Sequence, residues 1–193
     1  KYENFSKSIR RRAATIGGHN MDDYPLKMHV FNRARLIKNS KNRIPYGVDL
    51  IQKYRRESWI VFTENKKQAK EFNKIINTKG FKSALYNTDL DSTERLENLN
   101  KFKKADLNVL VTCTALDEGF DMPEADGALI LSASSSKRQR VQRMGRVLRI
   151  TENKPNALIV TVYSSKTEFD KLMEEAKRYH KEGVPVSWKR QDR

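Results

Sequence analysis

The run Ser58-Trp59-Ile60-Val61-Phe62-Thr63 decides the fold, because residues this apolar and β-prone predict a short strand that is buried on both faces. Similar runs recur along the chain at residues 81–86, 108–112, 127–131 and 157–162. Strands that are apolar throughout are typical of parallel sheets with helices on each face. The five runs therefore predict an α/β fold, in which a parallel sheet lies between two layers of helices as a three-layer sandwich.

Helical segments separate these predicted strands. Asn65 is a typical N-cap for a helix that extends to Asn77, and residues 91–94 resemble a capping box that starts the next helix. Two further helices are expected, a basic one over residues 136–149 and a last one from Thr167 to His180. Ligands of such sheets bind beyond the carboxyl ends of the strands, so residues that follow the strands are the first candidates for a site.

Residues 1–56 show no strand pattern. Two helices are expected there, near 26–38 and 41–55, and we interpret the segment as a basic helical lead-in or linker from a preceding domain. The α/β domain itself is expected to occupy residues 57–193. The arginines of the lead-in either contact nucleic acid or pack against another domain; they are Arg10, Arg11, Arg12, Arg33 and Arg35.

The chain of 193 residues carries a net charge of +15. The charge is uneven, since residues 1–56 hold 14 basic and 4 acidic groups and residues 135–193 hold 15 and 7. Such an excess indicates a polyanionic partner, either nucleic acid or, less often, an anionic membrane. No apolar run approaches the roughly 18 residues of a membrane span, so no membrane partner is expected.

Cysteine and histidine are scarce. Cys113 is the single cysteine, which excludes an intrachain disulfide and fits a reducing, intracellular compartment. Three histidines and one cysteine at scattered positions do not make a metal site, and none is expected in this chain.

The strongest chemical signal is the basic helix over residues 139–149. Gln142, Arg146 and Arg149 are spaced so that they share one face of this helix. Two guanidinium groups one turn apart can bind phosphate oxygens through planar, bidentate hydrogen bonds. The alternative is a solvated basic face, or a helix that lies along a nucleic-acid backbone.

Two polar segments follow predicted strands. In residues 112–126, Thr112 and Thr114 can offer hydroxyls to a phosphate chain, Gly119 permits close approach, and Asp121 can accept hydrogen bonds from a ribose. The alternative is an acidic surface loop. Thr63 and Asn65 follow the first strand, where such residues are either helix caps or ligands.

Taken in order, these segments resemble the second RecA-like domain of superfamily-two helicases and translocases. Residues 60–65 resemble motif IV of that family, residues 112–126 resemble motif V, and residues 139–149 match motif VI in its Gln-Arg-x-Gly-Arg-x-x-Arg form. Residues 87–102 resemble the stretch between motifs IV and V. The resemblance covers about residues 57–165 and is nearer to DNA-repair and restriction-type helicases than to DEAD-box RNA helicases.

The resemblance implies roles for the residues of the nucleotide site. Arg146 and Arg149 are then arginine fingers that reach the phosphates of ATP, and Gln142 supports them near the γ-phosphate. Gly119 and Asp121 are expected to border the ribose.

The resemblance also implies contacts with a nucleic-acid backbone. These are expected from the loops after the first and third strands, at Thr63, Asn65, Thr112 and Thr114. The chain departs from many relatives at Cys113, where they have a phosphate-contacting threonine, so Thr112 or Thr114 is expected to take that contact.

The implied function is that of the C-terminal motor domain of an ATP-dependent helicase or translocase, with DNA favoured over RNA. ATP and Mg²⁺ are expected mainly on an N-terminal RecA-like domain, because this sequence has no Gly-x-x-x-x-Gly-Lys-Ser/Thr loop. The chain alone is therefore expected to hydrolyse little ATP. We also expect a monomer, in the cytoplasm or associated with the nucleoid. Two alternatives are a non-hydrolysing RecA-like domain that binds nucleic acid and an unrelated doubly wound enzyme with a basic surface.

Overall fold

A computed structural model describes residues 2–16, 18, 22–113, 124–132 and 158–189. Lys1–Val162 form one compact unit and Tyr163–Arg193 form a second. The first unit begins with three helices, which are α1 (Tyr2–Thr15), α2 (Tyr24–Lys38) and α3 (Arg43–Tyr54). The second unit contains helix α6 (Lys166–Lys181), which begins at the N-cap Ser165.

The first unit contains a five-stranded sheet in which every neighbouring pair of strands is parallel. The order across the sheet is β2-β3-β1-β4-β5. The strands are β1 (Trp59–Phe62), β2 (Ser83–Tyr86), β3 (Val109–Thr112), β4 (Gly127–Ile130) and β5 (Leu158–Thr161). Two described helices connect the first three strands, α4 (Lys66–Thr78) and α5 (Ser92–Lys103).

Alternate residues of the central strands face opposite layers of helices. The odd-numbered Trp59 and Val61 of β1 belong to a core cluster with residues of α3 and α4, such as Val48 and Phe72. The even-numbered residues of the same strand, such as Ile60, belong to a second cluster that contains residues of α5. The alternation follows from the pleat of a strand and confirms the predicted three-layer arrangement of an α/β fold.

The structure confirms the five predicted strands and the predicted helices after β1 and β2. It also confirms two helices in the lead-in, and it adds a third, α1, which the sequence analysis did not predict. The edge strands β2 and β5 are half-buried, in contrast to the fully buried β1, β3 and β4. The predicted basic helix over 136–149 lies outside the described residues.

Helix α3 lies within the expected lead-in but is part of the core of the sheet. Ile44, Val48 and Ile51 are buried in the same cluster as Trp59 and Val61. The expected boundary at residue 56 therefore does not divide the hydrophobic core. The physical reason is that α4 alone does not cover this face of the sheet, and α3 supplies a second apolar helix face that packs against it.

Gly127 lies directly against a buried indole ring. A Cβ atom at this position would stand 2.6–2.8 Å from Cε3, Cζ3 and Cδ2 of Trp59, whose side chain is fully buried in the neighbouring strand. Atoms of a fixed ring cannot move away as the end of a flexible side chain can. The sequence therefore needs glycine at the start of β4 so that the largest side chain of β1 fits.

We predict that Gly127→Ala lowers the free energy of unfolding by about 1–3 kcal/mol, because the added methyl group overpacks the core. Urea denaturation measures this loss. Trp59→Phe removes part of the ring that the methyl group would meet, so the double variant should lose less stability than the sum of the two single changes. Strictly additive losses would show that the ring does not set the requirement for glycine.

Candidate functional site

The carboxyl ends of all five strands lie at one level. The parallel register pairs Phe62 with Thr112 and Ile130, and it continues to the two edge strands. We call this end of the sheet, with the residues that directly follow the strands, the carboxyl edge. Because β1 and β3 are hydrogen-bonded neighbours, the segments that resemble motifs IV and V leave the sheet side by side.

Thr63 directly follows β1 and is 2% exposed. Its backbone N–H donates to the carbonyl oxygen of Thr112 at 2.8 Å, and its hydroxyl lies 3.2 Å from the carbonyl oxygens of Thr112 and Asn65. Thr112 is 3% exposed. Both hydroxyls are buried within the edge, so nucleic-acid contact by these two residues stays a prediction.

Asn65 is the N-cap of α4, as the sequence predicts. Its Oδ1 accepts a hydrogen bond from the backbone N–H of Gln68 at 3.0 Å. Its Nδ2 donates to Oδ1 of Asn39, the C-cap residue of α2, at 2.8 Å. One amide therefore starts α4 and joins it to the end of α2, while its predicted nucleic-acid contact remains untested.

Two more bonds join the end of α2 to the carboxyl edge. The Nε2 of Gln68, which is 6% exposed, donates to the carbonyl oxygen of Lys38 at 2.7 Å. The Nζ of Lys38 pairs with Oε1 of Glu64 at 2.8 Å. With the Asn39–Asn65 bond, these contacts fix the end of α2 beside the residues that follow β1.

Arg43, the first residue of α3, is 2% exposed. Its Nη1 donates to the carbonyl oxygens of Leu131 and Val162, each at 2.8 Å, and its Nε donates to that of Ile37 at 3.2 Å. Leu131 follows β4 and Val162 follows β5. A single guanidinium therefore caps two neighbouring strands and ties them to the end of α2, a role that the sequence analysis missed.

The loop after β2 is held to α4 by charge. The carboxylate of Asp89 pairs with the ammonium groups of Lys66 and Lys70, the latter at 2.8 Å. Hydrogen bonds from Lys66 and then Lys70 lower the pKa of Asp89 below its usual value. The loop after β2 therefore stays beside the first turn of α4 at neutral pH.

Three buried polar atoms at the carboxyl edge have no hydrogen-bond partner within the described part of the chain. They are Nδ2 of Asn87, which follows β2, Oγ of Ser132, which follows β4, and Oε2 of Glu64, whose other oxygen pairs with Lys38. Asn87 is 1% exposed and Ser132 is 2% exposed. Buried polar groups are almost always paired in folded proteins, so this edge keeps hydrogen-bonding capacity that the described residues do not use.

Six predicted site residues lie outside the described residues: Thr114, Gly119, Asp121, Gln142, Arg146 and Arg149. The segments that contain them begin after Cys113 and Ser132, which both stand at the carboxyl edge. Among the described residues, no group of acidic, histidine and cysteine side chains could hold a metal ion. No helix in the described ranges is long and apolar enough to cross a membrane.

Comparison with known proteins decides the family. The model of the helicase conserved C-terminal domain matches residues 42–151, more than half of the chain. The chain belongs to this family. The match begins one residue before Arg43, so it includes α3, and it extends through the segment that resembles motif VI.

Among curated relatives of this helicase domain, the DNA 3'-5' translocase XPB2 of Sulfurisphaera tokodaii is 35% identical over 129 residues, covering 67% of this chain and 28% of the relative. The ATP-dependent RNA helicase DBP3 of Ajellomyces capsulatus is 28% identical over 166 residues, covering 82% of this chain and 32% of the relative. The chain thus spans about a third or less of the length of these relatives.

The fold of the helicase domain agrees with solved structures. The C-terminal domain of Dbp5 from S. cerevisiae superposes with a TM-score of 0.60 at 20% identity, covering 75% of this chain and 82% of that chain. This likeness confirms the predicted RecA-like fold. The relatives include both a DNA translocase and an RNA helicase, so the family alone does not distinguish the two nucleic acids.

We predict that Arg43→Met lowers the free energy of unfolding by about 3 kcal/mol, since each buried carbonyl oxygen left without a donor costs about 1–3 kcal/mol. Urea denaturation is the measurement. Arg56→Met is the matched control, because Arg56 is exposed near the opposite end of β1, and its effect should stay within about 0.5 kcal/mol. Equal losses in the two variants would contradict the capping role.

We predict that Asn65→Ala costs about 1 kcal/mol of stability through loss of the cap, whereas Asn65→Asp keeps the cap, since aspartate also caps helices, and loses the bond to Asn39. Thermal denaturation of both variants measures the difference. The same pair tests the predicted nucleic-acid contact, because the carboxylate of Asn65→Asp would repel a phosphate. Weaker strand binding by Asn65→Asp than by Asn65→Ala supports the contact, and equal binding contradicts it.

Proposed function

We propose that this chain is the C-terminal motor domain of an ATP-dependent helicase or translocase that acts on DNA. In this proposal it supplies arginine fingers to ATP held by an N-terminal RecA-like domain, and it grips the nucleic-acid backbone at its carboxyl edge. Family membership and the RecA-like fold support the proposal. The preference for DNA is supported by the DNA translocase, which has a higher identity to this chain than the RNA helicase has.

One observation supports the proposal most directly. Strands β1 and β3, which lead into the segments that resemble motifs IV and V, are paired neighbours, so their carboxyl ends lie side by side. Phe62 of β1 stands opposite Thr112 of β3, so residues after both strands can face a single bound strand. Phosphate contacts at such an edge do not recognise individual bases. Binding of nucleic acid should therefore be independent of base sequence and should weaken as the salt concentration rises.

The chain's residues do not fit a complete site for ATP and Mg²⁺. The sequence has no phosphate-binding loop that ends in Gly-Lys-Ser/Thr, and the described residues hold no cluster of metal-binding side chains. We therefore assign the phosphate-binding loop and the metal ligands to a second RecA-like domain. The contribution of this chain is the arginine pair of motif VI, with Gly119 and Asp121 near the ribose.

In the proposed mechanism, Arg146 and Arg149 stabilise the negative charge that spreads over the transferring phosphoryl group. Gln142 orients groups near the γ-phosphate. Arginine suits this role because its guanidinium stays charged and donates planar, paired hydrogen bonds. Closure of two domains brings the fingers to the phosphates, and loss of the bridging charge after hydrolysis lets the domains separate. Alternate gripping by the two domains then moves the strand.

We predict that Arg149→Ala in the full-length protein lowers kcat for ATP hydrolysis by about 10³-fold or more, the usual worth of an arginine finger. Binding of single-stranded DNA, measured by fluorescence anisotropy, should persist. Arg56→Ala is the matched control, because it removes an exposed arginine near the opposite end of β1, and its turnover should equal that of the unchanged protein.

Retained turnover in Arg149→Ala would contradict the finger role. The choice of nucleic acid is tested on the unchanged protein, whose hydrolysis of ATP should be stimulated by single-stranded DNA and much less by RNA of the same length. Stronger stimulation by RNA would overturn the DNA preference while leaving the motor role intact. Strand binding with no hydrolysis in the full-length protein would instead support a non-hydrolysing domain.

A further inference from the structure

Helix α2 exposes a row of aromatic, apolar and basic side chains. We call this row the α2 stripe and define it by its members, which are Tyr24, Lys27, Met28, Phe31 and Arg35. Their spacing places them on one face of the helix. Tyr24 is 70% exposed, Phe31 is 55% exposed and Met28 is 39% exposed, while Lys27 and Arg35 are exposed as well.

The stripe lies on an ordered support. The opposite side of α2 buries Leu26 completely, and α1 contributes the buried Ile9 and Ala13. The carboxylate of Asp23 caps α2 through the N–H of Leu26 at 2.9 Å, and it also accepts hydrogen bonds from Nε and Nη2 of Arg12. The bonds from Arg12 are the main cause of the lowered pKa of Asp23, so this carboxylate keeps its charge to a lower pH than an ordinary aspartate does.

The surroundings of the stripe are positively charged. Residues 2–38 contain eight basic and three acidic groups, and Arg12 pairs with Asp23 and Lys38 with Glu64. Arg10 and Arg11 of α1 are exposed. A helix that carried only apolar groups would fit a protein surface, but exposed rings interleaved with cations are the usual composition of a surface for single-stranded nucleic acid.

The spacing of the two rings fits bases of one strand. Tyr24 and Phe31 are seven residues apart, which is roughly 10 Å along the axis at 1.5 Å per residue. Lys27 lies between them, and Arg35 follows one turn after Phe31. Rings at this distance can stack on bases separated by one or two nucleotides, while the cations meet the phosphates between and beyond them.

The stripe leads to the carboxyl edge. Helix α2 ends at Lys38, and the bonds of Lys38 and Asn39 to Glu64, Gln68 and Asn65 hold that end beside the residues that follow β1. A strand on the stripe would therefore pass from Tyr24 toward the edge where the proposed backbone contacts lie. This continuity favours nucleic acid over another protein domain as the occupant.

We propose that the α2 stripe is a second binding surface for single-stranded nucleic acid, outside the sheet. Tyr24 and Phe31 stack on bases, and Lys27 and Arg35 bind phosphates. The proposal rests on the proposed function only in taking nucleic acid as the ligand of the chain. It gives the lead-in a specific role, which is to extend the path of the strand beyond the carboxyl edge.

The experiment measures binding of a fluorescein-labelled oligo-dT strand to the 193-residue chain by anisotropy. The double variant Tyr24→Ala/Phe31→Ala should raise Kd about thirtyfold or more, because each of the two stacked bases is worth about fivefold or more. The conservative variant Tyr24→Phe/Phe31→Tyr should keep the original Kd. A strand that contains 2-aminopurine should lose fluorescence on binding to the unchanged chain and keep it with the alanine variant.

Charge variants test the same stripe independently of stacking. Lys27→Ala/Arg35→Ala should reduce the slope of log K against log salt by about 1.4, because each phosphate contact with a single strand contributes about 0.7. Lys79→Ala/Lys82→Ala is the matched control, because it removes two exposed lysines near the start of β2. This control should leave both Kd and the slope unchanged. Far-UV circular dichroism checks that each variant is folded.

Equal Kd values for the alanine variant and the unchanged chain would overturn the stripe as a binding surface and leave the proposed motor function standing. Quenching of 2-aminopurine that survives in the alanine variant would also overturn it, since the rings would not be the stacking groups. No binding by the unchanged chain at low salt would contradict both the stripe and the proposed grip on nucleic acid. If alanine at the two ring positions unfolds the chain, the salt slope of Lys27→Ala/Arg35→Ala decides.

Discussion

The parallel direction of all five strands is the constraint on which the structure depends. Parallel strands need long connections, which here pass over both faces of the sheet, and they bring every carboxyl end to one edge. The central strands are buried on both faces, so polar atoms are confined to the ends. Chemistry can therefore develop only where the strands stop, and Thr63, Asn87, Thr112 and Ser132 all stand there.

The stability of that edge depends on the helices before the sheet. Arg43 donates hydrogen bonds to the carbonyl oxygens of Leu131 and Val162, which follow β4 and β5. A buried guanidinium is costly unless its hydrogen bonds are satisfied, and the bonds from Arg43 to three carbonyl oxygens offset part of that cost. Helix α3 thus contributes a hydrophobic face and a polar cap to one sheet, which explains why the core does not divide at residue 56.

Local patterns in the sequence predicted the strands and the helix starts, because these features depend on residues close together in the chain. The apolar runs located all five strands, and Asn65 and Asp91 marked the starts of α4 and α5, because a cap contacts groups only three residues away. The role of Arg43 could not be predicted, since its partners lie 88 and 119 residues further along the chain. The burial of Thr63 could not be predicted either. A threonine that follows a strand can serve as a ligand or as a structural residue, and the structure shows that Thr63 is buried and bonded to Thr112.

The corner between α2 and α3 joins these separate features into one unit. Within a few residues, Lys38 and Asn39 hold the end of β1, while Arg43 holds the ends of β4 and β5. The segment with the predicted arginine fingers begins directly after β4, beyond Ser132. Residues of this corner therefore contact both the end of the helix that carries the α2 stripe and the carbonyl oxygen of Leu131, one residue before Ser132.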